Sequence, residues 1–268
     1  MLFVISGLSL KTSRSVDQRR AGIIKWVNTH GYAQVEFLAA QFSTSEVTIR
    51  KDLAALADQK KLIRQFGGAA PLPASQGETN VVNLPSSIKQ NIGKLAASRI
   101  QQGSKIVLDC GSTIAALLPC LRDIPNLVVM TNALDAASQL TKSNNEPTIL
   151  MTGGTWDSAS RSFQGAMAEQ LVSAYSFDMA FIGAAGIDVS RGTTTFNELT
   201  GLTRAMARAA HEVVVMATSN KLSNKMPNLE LGWENISTLV TDNGISDKDI
   251  NLIEQQGVTV LVAAQNGE

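Results

Sequence analysis

The stretch S43-T-S-E-V-T-I-R-K-D-L-A-A-L56 decides how the N-terminal part of the chain folds. It opens with capping chemistry: Ser45 can cap a helix with Glu46 just inside, or Ser43 can form a capping box with Glu46 three residues on. Ile49, Leu53 and Leu56 then recur at helical spacing and give one apolar stripe. At about 100° per residue, Val47, Lys51 and Ala54 point away from that stripe, flanked by Thr48 and Arg50. A short helix that packs by one face and offers hydroxyl, guanidinium and ammonium groups on the other suits a DNA major groove. An ordinary amphipathic surface helix has the same pattern, so the neighbouring segments decide.

Those neighbours point one way. Asp17–Thr29 reads as a helix with Ile23, Ile24 and Val27 inward and Gly31 after its end. Val35–Phe42 reads as a second, shorter helix, and Ser43, Thr44 and Ser45 make the turn, which completes a helix-turn-helix. After Asp58, Leu62–Phe66 looks like a strand, and Gly67–Gly68 supply the backbone freedom for a tight turn. Helix, helix-turn-helix and basic hairpin make a winged helix, in which Lys60, Lys61 and Arg64 would reach phosphates or the adjacent minor groove. Charge agrees. From Lys11 to Ala70 there are ten Lys/Arg against five Asp/Glu, whereas the remainder carries thirteen against eighteen. The net charge of zero hides a basic head, expected to meet a polyanion, on an acidic body.

The run F42-S-T-S-E-V-T-I-R-K-D-L53, followed by L62-I-R-Q-F-G-G-A69, resembles the DeoR-type family of bacterial transcriptional regulators. Ser45, Thr48, Ile49, Arg50, Asp52, Leu53, Arg64, Gly67, Gly68 and Ala69 fall on that family's pattern. Thr44, Lys51 and Phe66 depart from it, standing where Val, Arg and His are usual, and the glycine usual before the wing strand is missing from Gln59–Lys61. Lys for Arg keeps the charge and loses the bidentate fork. The resemblance implies an operator-binding head, with Ser45, Thr48, Arg50, Lys51, Lys60, Lys61 and Arg64 on double-stranded DNA.

Pro71–Pro85 is rich in Pro, Gly and small polar residues and reads as a linker between a head at 15–70 and a body at 86–268. The body alternates helices with continuous Val/Ile/Leu runs: Lys105–Asp109, Leu127–Thr131, Thr148–Thr152, Phe177–Gly183, Glu212–Thr218, Thr238–Thr241 and Thr259–Ala263. Helices are expected over Ile88–Ile100 and Ile114–Leu121, and through Leu140. This is the pattern of an α/β domain on a mostly parallel sheet, buried on both faces. Ligands of such sheets bind beyond the carboxyl ends of the strands. There stand Asp109, Gly111, Ser112, Thr113, Thr131, Asn132, Gly153, Gly154 and Lys221. Glycine amides, hydroxyls and a lysine at one edge suggest a phosphorylated, polyhydroxylated small molecule. Simple capping by Ser112 and a solvated Lys221 are the plain alternatives.

The body also resembles the effector domain of the DeoR-type family, through D109-C-G-S-T113, T131-N132, G153-G154, F163-Q-G165, F181-I-G183, G186-I-D188, G192-T-T-T-F-N-E198 and T241-D242. That implies a fold similar to ribose-phosphate isomerases and CoA transferases, and adds Glu198 to the effector residues. The G192–E198 stretch looks like the glucitol-operon repressor branch, which would make the effector a hexitol or its phosphate. A217-T-S-N-K221 departs from the family's A-D-S-S-K at Thr218 and Asn220, and the lost carboxylate bears on which sugar is accepted.

The rest is exclusion. No Walker loop or dinucleotide-binding glycine triplet is present, so no nucleotide cofactor is expected. His30 and His211 are too few for a zinc site or a histidine-based triad. Cys110 and Cys120 fit a reduced, cytoplasmic chain, with Cys110 as filler rather than nucleophile. Hydrophobic content of 44% and charged content of 17% are those of a soluble globular protein, and no apolar run reaches eighteen residues. Met1–Leu10 lacks the basic start and cleavage site of a signal peptide, and residues 1–14 are expected to be a disordered extension. The expectation is therefore a homo-oligomeric, effector-controlled repressor and not an enzyme. The alternative makes the body a sugar-phosphate isomerase using Asp109, Glu198 and Lys221.

Overall fold

A computed structural model describes residues 7–30, 33–59, 61–65, 68–71, 86–158, 160–195 and 200–264. Its contacts divide the chain into two compact units, Met1–Thr79 and Asn80–Glu268.

The first unit begins with helix α1 (Gly7–His30), short strand β1 (Ala33–Gln34) and helix α2 (Val35–Gln41). Helix α3 (Glu46–Asp58) and the wing strands β2 (Leu62–Gln65) and β3 (Gly68–Pro71) complete it. The fold follows from one apolar nucleus. Ile49, Leu53 and Leu56 of α3 pack with Ile23 and Val27 of α1, Leu38 of α2, Leu62 of β2 and Ala69 of β3. The turn between α2 and α3 runs through Ser43 at φ 48°, and Ser45 caps α3 by accepting the Thr48 N–H at 3.2 Å. Two features differ from the sequence-based expectation. Helix α1 starts at Gly7, so part of the stretch read as an extension is helical. The hairpin is also three-stranded, in the order β1-β3-β2, because Ala33–Gln34 pair antiparallel with Ala69 and Gly68.

The second unit runs α4 (Ser87–Ala97), β4 (Lys105–Leu108), α5 (Ser112–Ala115), α6 (Leu118–Leu121), β5 (Val128–Thr131), α7 (Leu134–Leu140) and β6 (Thr148–Met151). A small hairpin, β7 (Thr155–Asp157) and β8 (Ser162–Gln164), leads to α8 (Ala166–Ser173) and β9 (Phe177–Gly183). Then come β10 (Gly186–Asp188), β11 (Gly192–Thr195), α9 (Gly201–Arg208) and β12 (Ala210–Met216). The unit closes with β13 (Asn228–Gly232), β14 (Thr238–Asp242), α10 (Asp247–Glu254) and β15 (Thr259–Ala263).

Seven of these strands form one sheet in the order β15-β14-β12-β9-β4-β5-β6, with every pairing parallel. Both faces are covered, and the period-two alternation of the strands divides their side chains between them. Ile106, Leu108, Phe181, Val214 and Met216 face a core built with α4 to α7. Val107, Ala180, Ile182, Val213 and Val215 face the opposite core, built with α8, α9 and α10. The expected single helix Ile114–Leu121 is two short turns. Pro119 stands at the start of the second, where its missing N–H and its ring break the run.

The chain lays down β4, β5 and β6 outward in one direction, then returns to β4 to place β9 and continues the other way. The order of the strands reverses between β4 and β9, and ligands of such sheets usually bind beyond the carboxyl ends at that point. The small sheet β10-β11-β13 and the β7–β8 hairpin, neither of them expected, are built from segments that follow these strand ends.

Candidate functional sites

On α3, the buried stripe turns Val47, Arg50 and Lys51 outward. The Arg50 Nη2 donates to Glu46 Oε2 at 2.8 Å, one turn back on the same face. Ser45 Oγ and Thr48 Oγ1 share a hydrogen bond of 2.9 Å, so both hydroxyls stand together at the helix start. Lys61 is exposed immediately before the wing. Lys60 and the side chain of Arg64 lie outside the described residues, although Arg64 pairs with Ala69 across the wing.

Asp52 has a part that its family match alone did not reveal. It is buried, and its carboxylate accepts from Arg19 Nε at 2.7 Å and from Arg20 Nε at 2.8 Å. These two bonds tie α3 to α1. The partners are far off in sequence, so only the odd carboxylate between Ile49 and Leu53 on the inward side hinted at it.

In the second unit, Asp109 follows β4 at the switch point. Its backbone N–H donates to the Phe181 carbonyl at 3.0 Å, and its carboxylate accepts the Cys110 N–H at 2.7 Å. Burial raises its pKa, against the pull of the Cys110 and Gly183 amides and the Asn132 side chain. Asn132, at the exit of β5, is fully buried, and neither its Oδ1 nor its Nδ2 has a hydrogen-bond partner of full geometry. A buried amide without such partners is uncommon in a folded chain.

Around the next corner, Gly111 takes φ 114°, a conformation that favours glycine, and Ser112 and Thr113 follow. Ser112 Oγ accepts a hydrogen bond of 2.8 Å from Lys89 Nζ of α4, a residue that sequence reasoning missed. Lys221 lies in a short 3-10 turn, Ser219–Ser223, after β12. Burial, and secondly the charge of Lys89, hold its ammonium below the ordinary lysine range. Lys89 therefore stands near enough for its charge to bear on Lys221. Asp242 at the end of β14 anchors the turn, accepting from the Ser219 N–H and Oγ, both at 2.7 Å. The two departures from the family pattern meet here: Thr218 Oγ1 donates to Asn220 Oδ1 at 2.6 Å, so the replacements satisfy each other.

The remaining expected residues have local duties. Thr131 Oγ1 accepts the Ala133 N–H at 3.1 Å within the turn. Gly153 and Gly154 lead into the hairpin, and a Cβ on Gly154 would sit 2.6 Å from the Gln164 carbonyl oxygen. Glu198 lies outside the described residues. Glu230 of β13 was missed. Burial first, and then the nearby Asp109 charge, push its carboxyl up to about 7, while Thr203 Oγ1 donates to it at 3.2 Å. In sequence it is one charge between two leucines, the mark of any half-exposed strand. Burial and the Asp109 charge raise the Cys110 thiol, so it stays protonated and is no nucleophile. Among the described residues no group of three or more His, Cys, Asp or Glu is disposed to hold a metal ion. A hollow of about 460 Å³ lies elsewhere in this unit, lined by Glu169 and Arg208 among others.

A model of the DeoR-like helix-turn-helix domain matches residues 19–72, and one of the DeoR C terminal sensor domain matches residues 86–243. The chain belongs to the DeoR family. It is 31% identical to a putative aga operon transcriptional repressor of Escherichia coli O157:H7, over 95% of this chain and 97% of that protein. It is 29% identical to the HTH-type transcriptional repressor GlcR of Bacillus subtilis, over 93% and 97%. The glycerol-3-phosphate regulon repressor of Escherichia coli K12 is 31% identical, over 79% and 85%. Among solved structures there is partial overlap with ribose 5-phosphate isomerase A from Neisseria gonorrhoeae, at 12% identity, TM-score 0.37, and 53% and 55% of the two chains. This DeoR-family chain is thus a DNA-binding transcriptional regulator with a sensor domain and not an enzyme, and the isomerase alternative is set aside. No helix among the described residues is long and apolar enough to cross a membrane.

Proposed function

We propose that the chain represses an operon for the use of a sugar or polyol and is released when a phosphorylated form of that compound binds residues 86–268. Residues 15–70 hold the operator and 71–85 join the two parts. The observation that carries this is the Lys89 ammonium held on the Ser112 hydroxyl beyond the end of β4, with the half-buried Lys221 close enough to feel its charge. A phosphate there relieves the repulsion between the lysines, and Asp109 and Asn132 receive the hydroxyls of the carbon chain. A repressor of this kind works in the cytoplasm as a homo-oligomer, because one winged helix reads too few bases. The ligand has to bind one conformation better than the other, and a few kcal/mol of difference changes operator affinity ten- to hundredfold.

Operator gel shift with the full chain, against hexitol phosphates, hexose phosphates and their unphosphorylated forms, tests this. One phosphorylated compound should release DNA from the wild type at concentrations that leave Lys89→Ala and Lys221→Ala on their operator. Equal release by the unphosphorylated compound, or undiminished release from both variants, removes the phosphate seat.

A further inference from the structure

The outward side of α3 carries an apolar residue, Val47, beside Arg50 and Lys51. Val47 is 60% exposed. It does not join the apolar nucleus that takes Ile49, Leu53 and Leu56 from the same helix. Polar groups around it pair with one another: Glu46 with Arg50 at 2.8 Å, and Ser45 with Thr48 at 2.9 Å. Arg50 and Lys51 lie three and four residues on, so the isopropyl group stands on the cationic face that meets DNA.

Helix propensity gives no reason for a valine here. A β-branched residue loses side-chain freedom in a helix, and an exposed one regains little by burial. Stiffness, however, suits recognition, since in a helix valine is held largely in one rotamer and offers its methyls in a fixed direction. Position matters equally. Val47 is the second residue of a helix whose first turn is capped at Ser45, and recognition helices contact base edges from their N-terminal residues. In the major groove only thymine presents an apolar group, its C5 methyl; cytosine has only a hydrogen on that carbon.

We propose that Val47 reads a thymine methyl in each operator half-site, adding a base preference that no hydrogen bond of the helix supplies. This rests on the DNA-binding unit alone and is independent of the effector reading. It commits the operator to thymine at one position, next to the bases served by Arg50 and Lys51. A 5-methylcytosine at that position restores the apolar contact while an unmethylated cytosine lacks it.

The test uses the full chain and an operator selected by it from random-sequence DNA. Each thymine is then replaced in turn by uracil, which removes only the methyl. At one position per half-site, uracil should weaken wild-type binding by about three- to tenfold, the scale of burying one methyl between apolar groups. Val47→Ala should lose a similar factor on the thymine operator and be indifferent to uracil at that position, so that the two losses do not add. Alanine is the better helix former, which keeps folding out of the comparison. Arg50→Ala serves as the contrast and should keep the uracil penalty at that position. Wild-type affinity in Val47→Ala overturns the proposal. So does a loss that adds in full to uracil at every position, because valine then rests on the sugar-phosphate backbone rather than on a base.

Discussion

Replacing Asp52 by alanine should loosen the recognition helix without touching DNA. The carboxylate is 2% exposed and holds two guanidiniums, which are themselves 17% and 27% exposed. Truncation leaves both cations facing an emptied, largely dry space. Breaking a buried ion pair from one side costs about 3–5 kcal/mol, and the partial access of both arginines to water puts this case near the lower end, about 3 kcal/mol. The Asp52→Asn variant keeps the volume and one acceptor, so its loss should be about half as large. Hydrogen exchange read by mass spectrometry on the full chain separates the two units. Amides of α2 and α3 should exchange about a hundredfold faster in Asp52→Ala, following about 1.4 kcal/mol per tenfold, while those of β9 and β12 stay as they were. A triple variant, Asp52→Leu with Arg19→Met and Arg20→Met, should recover most of the protection, since an apolar replacement of similar volume removes the stranded charges. Acceleration of α3 exchange by less than about threefold in Asp52→Ala would refute the anchoring role.

The other predictions concern charge. Glu230 keeps its proton up to about 7 in the folded chain, against an ordinary glutamate value of 4.5. Its contribution to stability is therefore complete below about pH 4.5 and is lost as pH rises through about 7. Glu230→Gln should match the wild type at about pH 4.5 and be more stable by about 1–3 kcal/mol at about pH 8 in urea unfolding; identical pH profiles would sink the assignment. Arg50→Ala should weaken operator binding by about 1–3 kcal/mol in gel shift if the guanidinium reads a base, and unchanged affinity would take Arg50 out of the interface. Glu46→Gln frees the Arg50 guanidinium from its 2.8 Å partner and should raise affinity for unrelated DNA by a few-fold, with a steeper salt dependence measured by the same titration.

Features written within a few residues of each other are legible from the chain alone. The Ser45 cap places the start of α3 and the Ile49–Leu53–Leu56 stripe its buried face, and the runs Phe177–Gly183 and Thr259–Ala263 are strands at the stated bounds. Short polar strands escape notice: Gly192–Thr195 is four residues of Gly and Thr, yet all four are buried where β11 lies between β10 and β13. Contacts between distant segments cannot be seen either. Lys89 meets Ser112 only because α4 packs against α5, and Asp109 gains its importance from a strand order that no local pattern encodes. Pro119 is a different kind of miss. It stands in plain view inside Ile114–Leu121, and its ring and absent N–H are reason enough to end one helix and begin another.

Helix α4 holds two grips at once. Its Lys89 grasps Ser112 beyond the end of β4, and its Asn91 Nδ2 bonds the Ala264 carbonyl at 2.9 Å, just past the last strand. It is also the first element after the stretch that ties the sensor to the winged helix. The phosphate proposed above, in competing with Ser112 for Lys89, would act on the helix that directly follows residues 71–85. On that proposal, changing the length of residues 71–85 should alter how strongly a ligand is felt at the DNA while leaving its binding alone.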